Sequence, residues 1–103
     1  MTSLTEPTFL ILLSLSQGER HGYAIMQDVS ALSDQRVQLS TGTLYTALKR
    51  MLEDGWIEQV ETEDASRGKR TYRLTAFGEG VTRQETERLT KLISIAQLRL
   101  GDV

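Results

Sequence analysis

Cysteine is absent from the 103 residues, and histidine occurs once, at His21. Disulfides, thiolate chemistry and a His/Cys metal site are thereby excluded within one chain. Redox usage gives no sign of the compartment. With one His and no acid cluster beside it, no base and nucleophile pair can be assembled, so neither an enzyme nor a bound cofactor is expected. Proline occurs once, at Pro7, which leaves helices free to run between glycine turns. No apolar stretch is long enough to cross a membrane. "FLILLSLS" has no basic leader, follows Glu6, and lapses into "QGERHG" far short of a span. A cytoplasmic protein with no membrane partner is expected. Nor is there an excess of positive charge: 12 Lys and Arg against 14 Asp and Glu give a formal net charge of −2. Taken alone, that balance disfavours a polyanionic partner.

What is present reads as one small domain with much surface for its volume, so a partner chain would help bury its apolar faces. Thr5 can cap a first helix in which Pro7 sits in the first turn, running to about Ser16. Phe9, Leu10, Ile11, Leu12, Leu13 and Leu15 circle this helix, which asks for a second apolar surface besides its own core. Dimerisation through Phe9, Leu12 and Leu13 is the simplest source. "QGERHG" reads as a turn and "YAIMQDVSALS" as a second helix, with Ile25, Met26, Val29 and Leu32 at helical spacing. "DQRVQ" is a short polar link. A third helix, capped by Ser40 or Thr41, ends at Gly55 in a left-handed C-terminal turn.

After Gly55 the period changes from helical to alternating. "WIEQVET" and "KRTYRLT" read as strands, with "EDASRG" as the hairpin loop between them. Tyr72 and Leu74 share one face, expected inward; Lys69, Thr71 and Arg73 share the other, expected outward and basic. Thr75 can cap a last helix to about Leu100, although Gly78 and Gly80 weaken its first turns. Phe77, Val81, Leu89, Leu92, Ile93, Ala96 and Leu100 follow steps of three and four along it, and Ile95 and Leu98 fall off that stripe. Leu89, Leu92, Ile93, Ala96 and Leu100 are expected at a subunit contact. The predicted fold is mainly α with a β-hairpin: a winged helix-turn-helix unit over residues 1–74, then a long C-terminal dimerisation helix over 75–103, as one compact unit.

In that architecture the third helix enters the DNA major groove and the hairpin touches backbone or minor groove. Projected at 100° per residue, Leu44, Ala47, Leu48 and Met51 fall on one side, with Leu52 at its edge. Gly42, Thr46, Lys49, Arg50 and Glu53 lie opposite, with Thr43 and Tyr45 on the flanks. Hydroxyls at Ser40, Thr41 and Thr43 can meet phosphates or bases, Lys49 and Arg50 supply charge, and Gly42 leaves the helix N-terminus bare. The basic run Arg67, Gly68, Lys69, Arg70 and Arg73 completes a local patch on an acidic chain. Each feature alone has a plainer reading: capping for Ser40 to Thr43, a partly buried aromatic for Tyr45, a solvated turn for the basic run. Trp56 fits a core plug and His21 a helix entry. Together, in this order, they favour double-stranded DNA as the partner. The alternative is a winged-helix module that binds protein and has no use for those cations as a set.

"HGYAIMQDV", "STGTLYTALKRMLEDGWIE" and "GKRTYRLTAFGEG" together resemble the PadR family of bacterial transcriptional regulators, over about residues 5 to 82. The short remainder is similar to the small subgroup with a single C-terminal helix. The resemblance implies a homodimeric repressor whose first and last helices build the dimer. It aligns Ser40, Thr41, Gly42, Thr43, Tyr45 and Lys49 with the DNA-reading helix, Tyr23 with a backbone contact, and Arg67 to Arg70 with the wing. It also implies a small aromatic or drug-like effector at or near the dimer interface. The last helix carries no aromatic beyond Phe77 to form a stacking platform there. A palindromic operator is then expected, with half-sites about one turn, roughly 34 Å, apart.

Overall fold

The computed structural model describes residues 4–62 and 69–101. The expected hairpin loop, with Arg67 and Gly68 of the basic run, lies outside the described residues. In chain order the elements are α1 (Glu6–Ser16), β1 (Arg20–His21), α2 (Gly22–Leu32), α3 (Thr41–Glu53), β2 (Ile57–Val60), β3 (Thr71–Leu74) and α4 (Ala76–Leu100). The strands form one antiparallel sheet in the order β1-β3-β2. This is a winged helix followed by a long last helix.

Local chemistry sets the helix ends. The Thr5 side chain accepts from the Thr8 N–H, Ser40 from Thr43, and Thr75 from Gly78, each satisfying a first-turn donor that has no intrahelical partner. At the end of α3, Gly55 takes φ +76°, where a side chain would be strained. Its N–H bonds Leu52 O and the Trp56 N–H bonds Met51 O, a Schellman closure that aims the chain into β2.

The core joins three helices to the sheet. Leu10, Ile11, Leu12 and Leu15 of α1 meet Ile25 and Val29 of α2, Leu44, Leu48 and Met51 of α3, and Ile57 and Tyr72 of the strands. Truncating one such leucine to alanine typically costs about 2–5 kcal/mol, so the apolar side of α3 fixes the orientation of its opposite side. The link after α2 is pinned rather than loose. Arg36 makes a two-pronged bond to Glu6 at the start of α1, and the buried Ser33 hydroxyl donates to Val29 O and accepts from the Val37 N–H, each at 2.9 Å.

Five sequence expectations need correction. Arg20–His21 is a strand within the expected turn, paired with Tyr72 and Thr71; two residues are too few for alternation to show. Thr71 is therefore covered by β1 and buried, not outward. Leu12 is wholly buried inside its own chain and offers nothing to a partner, because the apolar girth of α1 is largely taken up by α2, β3 and α4. Leu32 is half-exposed, and Ser33 takes the buried place at the end of α2. Phe77 is 63% exposed, whereas Gly78, Thr82 and Glu85 form the buried side of α4.

That side of α4 explains its glycines. A Cβ on Gly78 would lie 2.7 Å from the Trp56 carbonyl carbon and closer still to its oxygen, so only glycine lets α4 seat this tightly; Gly80 faces open space. Glu85 is held by Arg88, with bonds of 2.8 and 2.6 Å. That bond is the first cause of a carboxyl held below its ordinary value, and the backbone N–H of Leu4 adds to it against the cost of burial. Beyond Leu89 the same helical face continues as Leu92, Ile93, Ala96 and Leu100, with residues 90–100 all exposed. The helix has run past the body of its own chain, which is 55 Å long and 21 Å across at its narrowest.

Candidate nucleic-acid interface

The outer side of α3 matches the projection. Leu44, Leu48 and Met51 are buried, while Thr41, Gly42, Thr43, Tyr45, Thr46, Lys49, Arg50 and Glu53 are exposed. At the start of the helix Ser40 is occupied twice by Thr43, accepting from its N–H at 3.1 Å and donating to its hydroxyl at 2.9 Å. Ser40 therefore builds the cap and holds Thr43 in place, while Thr41 and Gly42 stand open. A Cβ on Gly42 would meet nothing within 4 Å, and its φ is not in the left-handed region. Nothing in the chain itself requires a glycine there, unlike Gly78. The open first turn presents unpaired N–H groups at the positive end of the helix dipole.

Charge pairing divides the surface sharply. Arg20 pairs with Asp28, Arg36 with Glu6, Arg83 with Glu79 and Arg88 with Glu85. Arg73, expected on the basic face of the wing, is bound by Glu58 at 2.6 Å and approached by Glu19 at 3.6 Å. Its guanidinium is accordingly held above its ordinary value, chiefly by the hydrogen bond to Glu58. Lys49, Arg50, Lys69 and Arg70 form no ion pair among the described residues, and neither do Lys91 and Arg99 on the far part of α4. The base of the wing is thus electrically quiet, and the uncompensated cations of the described residues lie on α3, just before β3 and on the far part of α4.

The two remaining tyrosines behave differently. Tyr23 is 67% exposed at the start of α2, with its hydroxyl accepting from Gln27. Tyr45 is turned inward at its tip. Its hydroxyl would lie 2.5 Å from a Cβ on Gly22, so it rests on the backbone where β1 passes into α2. Sequence reasoning missed this contact, the His21–Thr71 bond of 2.9 Å and the acids that quench Arg73. The glycine after His21 was the one available signal.

These features invite comparison with known proteins. The family model of the PadR-like transcriptional regulators matches residues 11–84. The chain belongs to the PadR-like family of transcriptional regulators. An uncharacterized protein of Lysinibacillus sphaericus is 31% identical over 70 residues, covering 67% of this chain and 64% of that one. The chain thus spans just under two thirds of that relative. Among solved structures, a transcriptional regulator of Clostridium thermocellum matches with a TM-score of 0.73 at 26% identity, covering 88% of this chain and 86% of that one. A PadR family regulator of Clostridium difficile matches at 0.77 and 24% identity, over 94% of this chain and all of the other. The fold is also similar to PcaV of Streptomyces coelicolor, solved with its natural ligand, at 0.73 and 20% identity, over 98% and 64% of the two chains. In the winged-helix architecture the third helix is the one that enters the major groove, and in this chain the bare first turn and unpaired cations stand on the outer side of that helix.

Proposed function

We propose that the chain is a homodimeric repressor that reads a palindromic operator. Thr41, Thr43 and Lys49 are its base-reading residues, with Ser40 and Gly42 shaping the helix entry. Arg50, Lys69, Arg70 and Tyr23 are its phosphate contacts, joined by Arg67 and Gly68 of the wing, while Tyr45 positions the reading helix. The observation that carries this reading is the charge pairing: among the described residues Arg20, Arg36, Arg73, Arg83 and Arg88 have acid partners, while Lys49, Arg50, Lys69 and Arg70 do not. A protein-binding module has no use for that division.

The overrunning face of α4 supports the dimer. Leu92, Ile93 and Leu100 are 48%, 58% and 73% exposed along a face that is buried nearer the helix start. Such a face is stable in water when a second copy covers it. The residues 1–74 then serve as the reading unit and the last helix as the coupling arm, with Phe9, Leu13, Leu89 and Ala96 as further contacts.

An effector has a specific observation in its favour. A groove of about 990 Å³ between α1, α3 and α4 is lined by Leu4, Ala47, Met51, Trp56, Phe77 and Val81. The exposed Phe77 ring and Trp56 offer flat apolar walls that suit a small aromatic or drug-like molecule.

The deciding experiment is selection of DNA from a random pool, followed by affinity measured against salt. The reading requires selective binding, with a log–log slope of about −0.9 per phosphate neutralised. Binding indifferent to sequence, or absent at low salt, would overturn it. A promoter reporter separates repression from activation.

A further inference from the structure

The inward turn of Tyr45 links parts of the molecule that are distant in sequence. Its phenol end sits on Gly22, with the hydroxyl at 2.5 Å and Cζ at 3.0 Å from where a Cβ would stand. Gly22 directly follows β1, in which His21 pairs with Thr71 and Arg20 with Tyr72. A side-chain bond of 2.9 Å between His21 and Thr71 tightens that pairing. Thr71 lies between Arg70 and Tyr72, which as residues two apart point to the same side of β3. The Tyr72 phenol is pushed above its ordinary value by burial first and by the nearby Tyr45 next, while Arg70 acts in the opposite direction. The two phenols and the Arg70 guanidinium therefore share one neighbourhood, at the seam between α3 and the sheet.

We propose that Tyr45 is a positioning residue, a spacer whose ring rests on the side-chain-free backbone of Gly22 and so fixes how far the wing's Arg70 stands from α3. This rests on the DNA-binding reading and gives Tyr45 a role in place of contact with a phosphate. Glycine at position 22 matters because any Cβ would push the Tyr45 ring away. Gly22 has no left-handed φ and begins a helix, so alanine there has no backbone cost of its own.

The test uses the full chain and the operator-like DNA selected with the wild type. Gly22→Ala crowds the Tyr45 ring and is expected to weaken selective binding about tenfold, equivalent to about 1.4 kcal/mol. Tyr45→Phe keeps the ring and should stay within about threefold of wild type. The double variant removes the nearest clashing atom, the hydroxyl, and leaves Cζ at 3.0 Å, so it should recover most of the loss toward the Tyr45→Phe level, a non-additive result for residues in contact. In the Gly22→Ala background, Arg70→Ala should lose less affinity than it does in wild type, because the wing is already displaced.

Thermal melts without DNA read the spacer separately: Gly22→Ala lowers the midpoint and Tyr45→Phe restores it. Loss of binding in Tyr45→Phe alone, with no rescue of Gly22→Ala, would make Tyr45 a direct phosphate ligand and overturn the proposal. A destabilised Gly22→Ala that binds DNA normally would overturn it too. Should Gly22→Ala not fold, Tyr45→Ala replaces it and is expected to lose affinity about as strongly. A wild type without selective DNA binding, but with the stability rescue intact, would sink the functional reading and leave the contact standing.

Discussion

Replacing Gly78 and Gly80 by alanine, one at a time, should move stability in opposite directions although the two sites lie two residues apart on α4. Alanine favours a helix over glycine by about 1 kcal/mol, and Gly80→Ala should realise much of that, since its Cβ meets nothing within 4 Å. At Gly78 the new methyl would stand 2.7 Å from the Trp56 carbonyl carbon and 3.1 Å from its Cα. Ordinary carbon contacts lie at about 3.5–4.0 Å, so α4 must lift by about 1 Å, and a backbone atom cannot rotate away. The lift also strains a small knot: Trp56 O accepts from the Thr75 N–H and hydroxyl, each at 3.1 Å, and Thr75 accepts from the Gly78 N–H at 3.0 Å. Overpacking of about 1–3 kcal/mol plus one or two weakened bonds of about 1 kcal/mol each outweighs the propensity gain. The net loss is about 2–3 kcal/mol, a fall in melting temperature of roughly 10–20 °C for a chain of this size. Melts at one fixed protomer concentration check this, since association shifts the midpoint. Equal shifts at the two positions, or a gain at Gly78, would refute the claim that α4 is seated on Trp56.

Other expectations follow from the same structure. Leu92→Asp with Ile93→Asp should give a folded monomer in sedimentation, whereas Leu12→Asp should unfold the chain, because Leu12 is closed off within one protomer. A double variant that stayed dimeric would move the interface away from α4. Lys49→Ala should weaken binding and change which DNA is preferred, while Lys69→Ala should weaken all sequences alike and reduce the salt slope by about 1; the opposite pattern would exchange their roles. The Glu85 carboxyl is held low by Arg88, so its contribution is present above the unfolded value and lost as pH falls through the lower folded value. Urea midpoints of wild type should therefore fall more steeply with pH below about 4.5 than those of Glu85→Gln, and parallel curves would count against the pair. If the groove beside Trp56 and Phe77 takes an effector, a panel of small aromatics should quench Trp56 fluorescence and raise the melting temperature, and a blank screen would argue against it.

The helices were legible because their signals are local. Thr5, Ser40 and Thr75 each cap the helix they precede, and the Asp54-Gly55 stop produced the expected left-handed closure. The outer side of α3 was equally legible, since an amphipathic period determines which residues are left outside. Contacts that depend on residues far apart in the chain were not legible. No local pattern marks Glu19 and Glu58 as the acids that would quench Arg73, or Thr71 as buried under a two-residue strand. The buried side of α4 misled for another reason: close approach selects Gly78 and Thr82 for their size, so hydrophobicity no longer indicates which side is inward.

The ion pairs of Arg73 also bear on where such a regulator resides on a chromosome. Non-specific affinity grows with every phosphate neutralised, and random sites outnumber an operator by many orders of magnitude. A chain of formal charge −2 that silences the cation at its wing base is weakly attracted to bulk DNA. On the proposed function, little of the protein is then sequestered on irrelevant sequence, so a small number of copies should suffice to keep one operator occupied.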